Sequence, residues 1–238
     1  GTHPQLDHVG GLAWILAHFQ VEKFWTNGVE RQEEFWRRIE RAMVQRKLEA
    51  TVATEGRLIS EGPACRMVVL NPQPRPESSI SAKSESLNNL SVVTELVCRE
   101  QRVLFTGDIE REALTRLTHS GNSAHIALLK VPHHGAKSSL ERRWLETIRP
   151  AVGVVSAGRR NPYGHPAGEV LAAYQAVETQ VWRTDRDGAI WADLDLTRQE
   201  LSMHSTREWI LQPALTSADI WSVEQDNLRR LWRRWNWT

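Results

Sequence analysis

The chain has 238 residues, 40% of them hydrophobic, with a formal net charge of +1. This suits one α/β domain with a real core and a tail, and it excludes a protein that holds nucleic acid through an overall basic field, so any such contact must come from a local patch. No run approaches the ~18 apolar residues of a membrane span, and no signal peptide is visible at the start.

In chain order, Leu12, Ile15, Leu16 and Phe19 predict one apolar helix face. A second helix is expected over 31–48, with Phe35, Ile39, Met43 and Val44 on its buried side. Strands are expected at 66–70 and 90–97, separated by a Pro- and Ser-rich loop over 71–84. A strand over 102–106 ends in Gly107-Asp108, and a helix follows over 109–117, with Glu110 and Glu112 in its first turn, where carboxylates suit the dipole. A strand over 126–131 ends at Pro132-His133-His134-Gly135; Ser138 or Ser139 then caps a helix carrying Leu140, Trp144 and Leu145. A strand over 151–155, a helix over 167–176 and three short strands near 180–183, 189–192 and 200–204 complete the pattern. Strand, polar turn and helix alternate, which implies a layered α/β fold with its polar turns at one sheet edge. Cys65 and Cys98 lack metal-ligand spacing and read as small buried residues; a disulfide between them is possible, but nothing in the sequence supports it. From Thr206 the character changes: Trp209, Trp221, Trp232, Trp235 and Trp237 interleave with Arg229, Arg230, Arg233 and Arg234. This tail reads first as a terminal helix packed on the domain. Base stacking on single-stranded DNA and contact with an anionic membrane are the alternatives.

The most informative stretch is Gly1-Thr2-His3-Pro4-Gln5-Leu6-Asp7-His8-Val9-Gly10-Gly11, which sets two imidazoles and a carboxylate within six positions. His nitrogen and Asp oxygen are the usual ligands of borderline metal ions. Asp108, His133-His134 and His165 supply further ligand-type groups, each beside Gly or Pro at the expected end of a strand. One His in a turn is ordinarily a solvated or capping residue, and Asp108 alone reads as a helix cap; the coincidence of four such segments points to a site for two divalent ions, Zn²⁺ or Mn²⁺ with Mg²⁺ as an alternative. The ions would hold and acidify a bridging water and neutralise charge on a phosphoryl oxygen.

These segments resemble the metallo-β-lactamase superfamily, whose signature is His-x-His-x-Asp-His, and within it the carboxy-terminal domain of the ComEC family of bacterial competence proteins. The resemblance rests on the run 2–11 together with Asn88-Asn89-Leu90-Ser91, Leu104-Phe105-Thr106-Gly107-Asp108, the run 129–139 around His133-His134-Gly135, Asn161-Pro162-Tyr163-Gly164-His165-Pro166 and Thr184-Asp185-Arg186-Asp187-Gly188. It implies an αβ/βα sandwich over residues 1–205, amino-terminally incomplete because the family's domain begins upstream with a Gly-Gln-Gly-Asp-like turn, and a separate tail over 206–238. It implies that His3, Asp108 and His134 serve one ion and that Asp7, His8, Asp108 and His165 serve the other. The choice between His133 and His134 as ligand stays open; His133 can instead support the ligands or donate a proton or hydrogen bond to the phosphate. Gln5 stands where the signature has His, so the first ion should be held more loosely.

The implied activity is that of a metal-dependent phosphodiesterase, a nuclease acting on single-stranded DNA during uptake, with Asp7 orienting the water and His133 assisting the departing oxygen. The alternatives are a phosphodiesterase on a small or cell-wall ester such as phosphocholine, and a degenerate, non-catalytic DNA-binding module. Lys130, Lys137 and Asn161 are candidate substrate contacts, although the lysines read equally as surface charge. Gln5, Asn89 and Asp187 are candidate supports of the ligands, although Asp185 and Asp187 before Gly188 also read as a hairpin turn. The resemblance further implies tethering to an upstream membrane channel of the same protein, a place on the external or periplasmic face of the cytoplasmic membrane, and a monomeric isolated domain.

Overall fold

The computed structural model describes residues 1–29, 33–74, 86–119 and 125–207. The Trp/Arg tail beyond Arg207 and most of the expected 71–84 loop lie outside these residues.

The chain opens with two short helices, α1 (Leu6–Val9) and α2 (Leu12–His18). A parallel pair of three-residue strands follows, β1 (Phe24–Thr26) and β2 (Ala50–Val52), joined through α3 (Glu34–Arg46). Val9, Leu16, Phe24, Trp36, Ile39 and Ala42 form their shared core. Here the expected faces are corrected. Val44 is 78% exposed, and Ile15 and Phe19 are also exposed, whereas Trp36 and Ala42 are buried. Covering the Trp36 indole removes more apolar surface from water than covering Val44 would, so α3 turns that face inward.

The main sheet has seven strands, lying side by side in chain order: β3 (Leu58–Glu61), β4 (Cys65–Asn71), β5 (Val93–Cys98), β6 (Gln101–Phe105), β7 (Leu128–Lys130), β8 (Val152–Val155) and β9 (Gln180–Arg183). β3 to β6 pair antiparallel, and β6 to β9 pair parallel. Parallel neighbours need long crossovers, supplied here by α4 (Arg111–His119), α5 (Arg142–Ile148) and α6 (Gly168–Ala176). Leu104, Leu129 and Val155 of the strands pack with Leu114, Trp144, Leu145 and Val170 of those helices in the largest core. The segments that follow β6, β7 and β8 therefore leave the sheet at the same edge, where such folds place ligand sites.

After β9 come α7 (Thr184–Asp187) and a hairpin of β10 (Ile190–Asp195) and β11 (Glu200–Ser205). Asp185 and Asp187 are thus in a helical turn and not a hairpin turn: Asp187 Oδ2 reaches back to accept the N–H of Arg183, the residue before that helix, at 2.9 Å. The helix expected after Ser138 or Ser139 is capped instead by Glu141, which accepts the Arg143 N–H at 3.1 Å. Ser139 Oγ donates to the Pro132 and Ala136 carbonyls. Cys65 and Cys98 form a disulfide. The β4–β5 register sets them directly opposite one another, a proximity that exists only once the strands pair. No helix among the described residues is long and apolar enough to cross a membrane.

Candidate metal centre

α1 presents Asp7 and His8 because Val9, two and one positions on, is anchored in the small core. Thr106-Gly107-Asp108 leaves β6, and Thr106 Oγ1 donates to the Lys130 carbonyl at 2.7 Å, locking the ends of β6 and β7 together. Gly107 adopts φ +55; a Cβ there would lie 2.7 Å from Ser91 Cβ, so only glycine lets the Asp108 turn close on the Asn88–Ser91 segment. Ser91 Oγ accepts the Asp108 N–H at 3.1 Å and lies 3.1 Å from His3 Nδ1.

The turn after β7 bends through three consecutive left-handed residues, His133 (φ 45), His134 (φ 55) and Gly135 (φ 79). Such a backbone is costly for non-glycine residues and persists only where surrounding contacts enforce it, which is characteristic of functional sites. Gly135 is pressed against Pro166, with a built Cβ only 2.6 Å from Pro166 Cβ. The His134 turn and the His165 turn therefore meet at this glycine.

Asp7, His8, Asp108 and His134 come together, with one ligand-type atom of each within 4.8 Å of the others. Asp108 Oδ2 is the hub: His8 Nε2 lies 3.0 Å from it and His134 Nε2 3.2 Å, and Asp7 Oδ2 is 3.4 Å from His134 Nε2. Asp108 is 1% exposed. Burial pushes its carboxyl up, but His134, His8 and the Lys130 ammonium outweigh burial and hold it well below the usual carboxylate range. His134 Nδ1 lies 2.6 Å from the Ser156 carbonyl. A carbonyl only accepts, so that nitrogen carries a proton, and Nε2 is the ring atom directed at the carboxylates. Among the described residues, His134 Nε2 is a buried nitrogen without an aligned hydrogen-bond partner; its approach to Asp108 is an ion-pair contact, and Asp108 raises the His134 pKa.

His3 is 1% exposed, and its ring centroid is 4.2 Å from that of His8. Burial, reinforced by His8, lowers its pKa to about 4, so the ring is neutral at pH 7. Its Nε2 too is buried with no hydrogen-bond partner. Thr2, which carried no signal in the sequence, reaches both rings: its Oγ1 lies 3.2 Å from His3 Nδ1 and 3.0 Å from His8 Nδ1.

The other expected residues fall into place differently. His165 is not one of the four; its ring lies 5.9 Å from that of His133 and stacks on Tyr163. His133 points to the rim, with Nδ1 3.2 Å from Glu110 Oε1. Glu110, taken from sequence only as a helix-dipole residue, also accepts from Ser138 and Asn88. Only its place two residues after Asp108 could have signalled this. Lys130 is turned toward the hub: its ammonium donates to Gly107 O at 2.7 Å and Asp108 Oδ1 at 3.1 Å. Lys137 does remain exposed, 3.8 Å from Glu169. Asn161 clamps its own loop, accepting the His165 N–H at 3.0 Å and donating to the His165 carbonyl at 2.7 Å. Gln5 donates to Asn88, and Asn89 accepts the Glu110 N–H. Asp187 does not reach the histidines; its carboxylate is taken up by the Arg183 backbone and Arg186.

No protein-family model matches the chain. It is 28% identical over 196 residues to ComE operon protein 3 of Bacillus subtilis, an alignment covering 79% of this chain and 23% of that protein. It is 25% identical over 206 residues to Recombination protein 2 of Haemophilus influenzae, covering 87% of this chain and 23% of that protein. The chain thus spans less than a quarter of the length of these relatives. Among solved structures, zinc-bound PqqB from Methylobacterium extorquens is similar with a TM-score of 0.42 and 14% identity, over 76% of this chain and 69% of that one. The signature run and the two sequence relatives agree: the chain resembles the metallo-β-lactamase superfamily and, within it, the carboxy-terminal domain of ComEC.

Proposed function

We propose that the chain is a metal-dependent phosphodiesterase, a nuclease that degrades single-stranded DNA during natural transformation. The observation that carries this reading is Asp108 Oδ2 flanked by His8 Nε2 and His134 Nε2 beside the Asp7 carboxylate. The donor set fits: imidazole and carboxylate suit zinc or manganese, with magnesium as a harder alternative, and the buried Nε2 atoms of His3 and His134 have no aligned hydrogen-bond partner among the described residues. Asp7, His8, Asp108 and His134 would hold one divalent ion, with His3, whose ring centroid is 4.2 Å from that of His8, and His165 as further donors for a second. Divalent ions bound there supply Lewis-acid charge to a phosphoryl oxygen and make water a stronger acid.

The chain's own groups divide the remaining work. Asp7 is exposed at the rim, where its carboxylate orients the attacking water and accepts its proton. His133, steered by Glu110, gives a proton to the departing oxygen. Lys137, in the segment after β7, and Arg159 and Arg160, in the segment after β8, are exposed cations of the kind a phosphodiester backbone requires. The Cys65–Cys98 disulfide suits an oxidising compartment, in keeping with a domain on the external or periplasmic face and tethered to a membrane portion of a longer protein.

Metal analysis of chelator-free protein, with cleavage of labelled single-stranded DNA in Mn²⁺, tests the reading. Bound divalent metal is expected, with cleavage lost in EDTA and reduced at least about a hundredfold by Asp108→Ala. Undiminished cleavage by that variant, or by the chelated protein, would overturn it. One observation favours a second reading, a non-catalytic DNA-binding module: Lys130 gives Asp108 a counter-charge from the protein itself. That module would bind DNA equally with and without EDTA and would not cleave it.

A further inference from the structure

The rings around Asp108 do not stop at the ligand cluster. His3, His8, His134, His133, His165 and Tyr163 stand in file, with successive centroids 4.2, 5.5, 6.2, 5.9 and 5.8 Å apart. The inner members surround the carboxylate. The outermost, Tyr163, is 77% exposed and lies within 21° of parallel to His165. The phenol thus lies nearly parallel to an imidazole and is largely exposed to solvent. The loop that presents it is fixed: Asn161 holds both the N–H and the carbonyl of His165 and donates to the Gly158 carbonyl at 3.0 Å, while Gly164 turns the chain at φ +68. Arg159 and Arg160 lie exposed on the same loop and have no ion-pair partner among the described residues.

A rigidly held, exposed aromatic ring next to unpaired guanidinium groups matches single-stranded nucleic acid, whose bases stack on rings while arginines follow the phosphates. We infer that Tyr163 is a substrate-positioning residue: a nucleobase near the cleaved phosphate stacks on its ring, and Arg159 and Arg160 hold the neighbouring phosphates. This rests on, and sharpens, the nuclease reading by naming how the strand enters the cluster. A phosphoester without a base has nothing to place there.

The experiment is a binding cycle in EDTA, where cleavage does not consume the probe. Fluorescein-labelled oligothymidylate and a strand of equal length and charge lacking bases are titrated into wild-type, Tyr163→Ala and Tyr163→Phe protein and read by anisotropy. Tyr163→Ala should weaken oligothymidylate binding about tenfold or more, the loss of one stacked base. Tyr163→Phe should retain wild-type affinity, and all three should bind the base-free strand alike. The assignment is overturned if Tyr163→Ala matches wild type on oligothymidylate, or if it loses as much on the base-free strand. The two readings fail separately: a stacking cycle as expected without cleavage in Mn²⁺ removes the nuclease and keeps Tyr163 as a base-stacking contact only, whereas cleavage with unchanged binding by Tyr163→Ala keeps the nuclease and removes Tyr163.

Discussion

Asp108 is the residue through which the site is organised, and its two oxygens have different duties. Oδ2 faces His8 and His134, while Oδ1 takes the Lys130 ammonium. Burial pushes Lys130 below an ordinary lysine pKa, and the Asp108 carboxylate pulls it back. The pair neutralises a carboxylate that would otherwise be buried with only imidazoles around it, and removing one partner of such a pair costs far more than the pair itself contributes. Lys130→Met should therefore destabilise the metal-free protein by about 3 kcal/mol, and Mn²⁺ should restore more stability to the variant than it adds to wild type, because the ion then replaces the missing charge. Thermal unfolding with and without Mn²⁺ reads both effects. An equal Mn²⁺ increment in the two proteins would show that Lys130 is not the counter-charge.

At the level of elements, the site depends on turns that meet where only glycine fits. Gly135 has φ +79 and sits against Pro166, whereas Gly56 has φ +81 with no atom within 4 Å of a built Cβ. The two positions share the conformational penalty of a left-handed alanine, roughly 1–2 kcal/mol, and differ only in the clash. Gly56→Ala should lower stability by about that amount and leave metal affinity unchanged. Gly135→Ala should cost about 2–4 kcal/mol, since the His134 turn must also move away from the His165 turn, and it should weaken Mn²⁺ binding. Calorimetric titration of the two variants decides: similar metal affinities would mean that the Gly135–Pro166 contact does not position His134.

For the molecule as a whole, the parallel half of the sheet gathers the site, and the antiparallel half carries a covalent tie. Cys65 and Cys98 are 33 positions apart and join adjacent strands β4 and β5. Closing a loop of that length restricts the unfolded chain by about 3–4 kcal/mol in the chain-entropy account. The double variant Cys65→Ala, Cys98→Ala, or wild type kept in reductant, should unfold with a denaturant midpoint lower by that free energy. An unchanged midpoint would mean that the disulfide adds no stability. The tie lies in the half of the sheet away from the β6–β8 ends, so metal binding at low temperature should survive its removal.

The sequence by itself carried the ligand-type residues and their setting. His3, Asp7 and His8 lie in one run, and Asp108, His134 and His165 each follow a strand pattern beside Gly or Pro, so the α/β alternation and the sheet edge were legible from local periodicity alone. Which of these side chains converge was not. The His134 Nδ1 contact with Ser156, the Lys130 contact with Asp108 and the His133 contact with Glu110 span 22, 22 and 23 positions, and the Cys65–Cys98 pairing depends on a strand register that no local pattern encodes. Helix facing failed for a related reason: periodicity put Val44 on the buried side of its helix and left Trp36 out, and only the packed neighbours decide which face is covered. Local preference thus determines the residue chemistry and the elements, whereas the identity of the cluster is decided by long-range pairing of the parallel strands, whose common edge brings the separate turns within bonding distance.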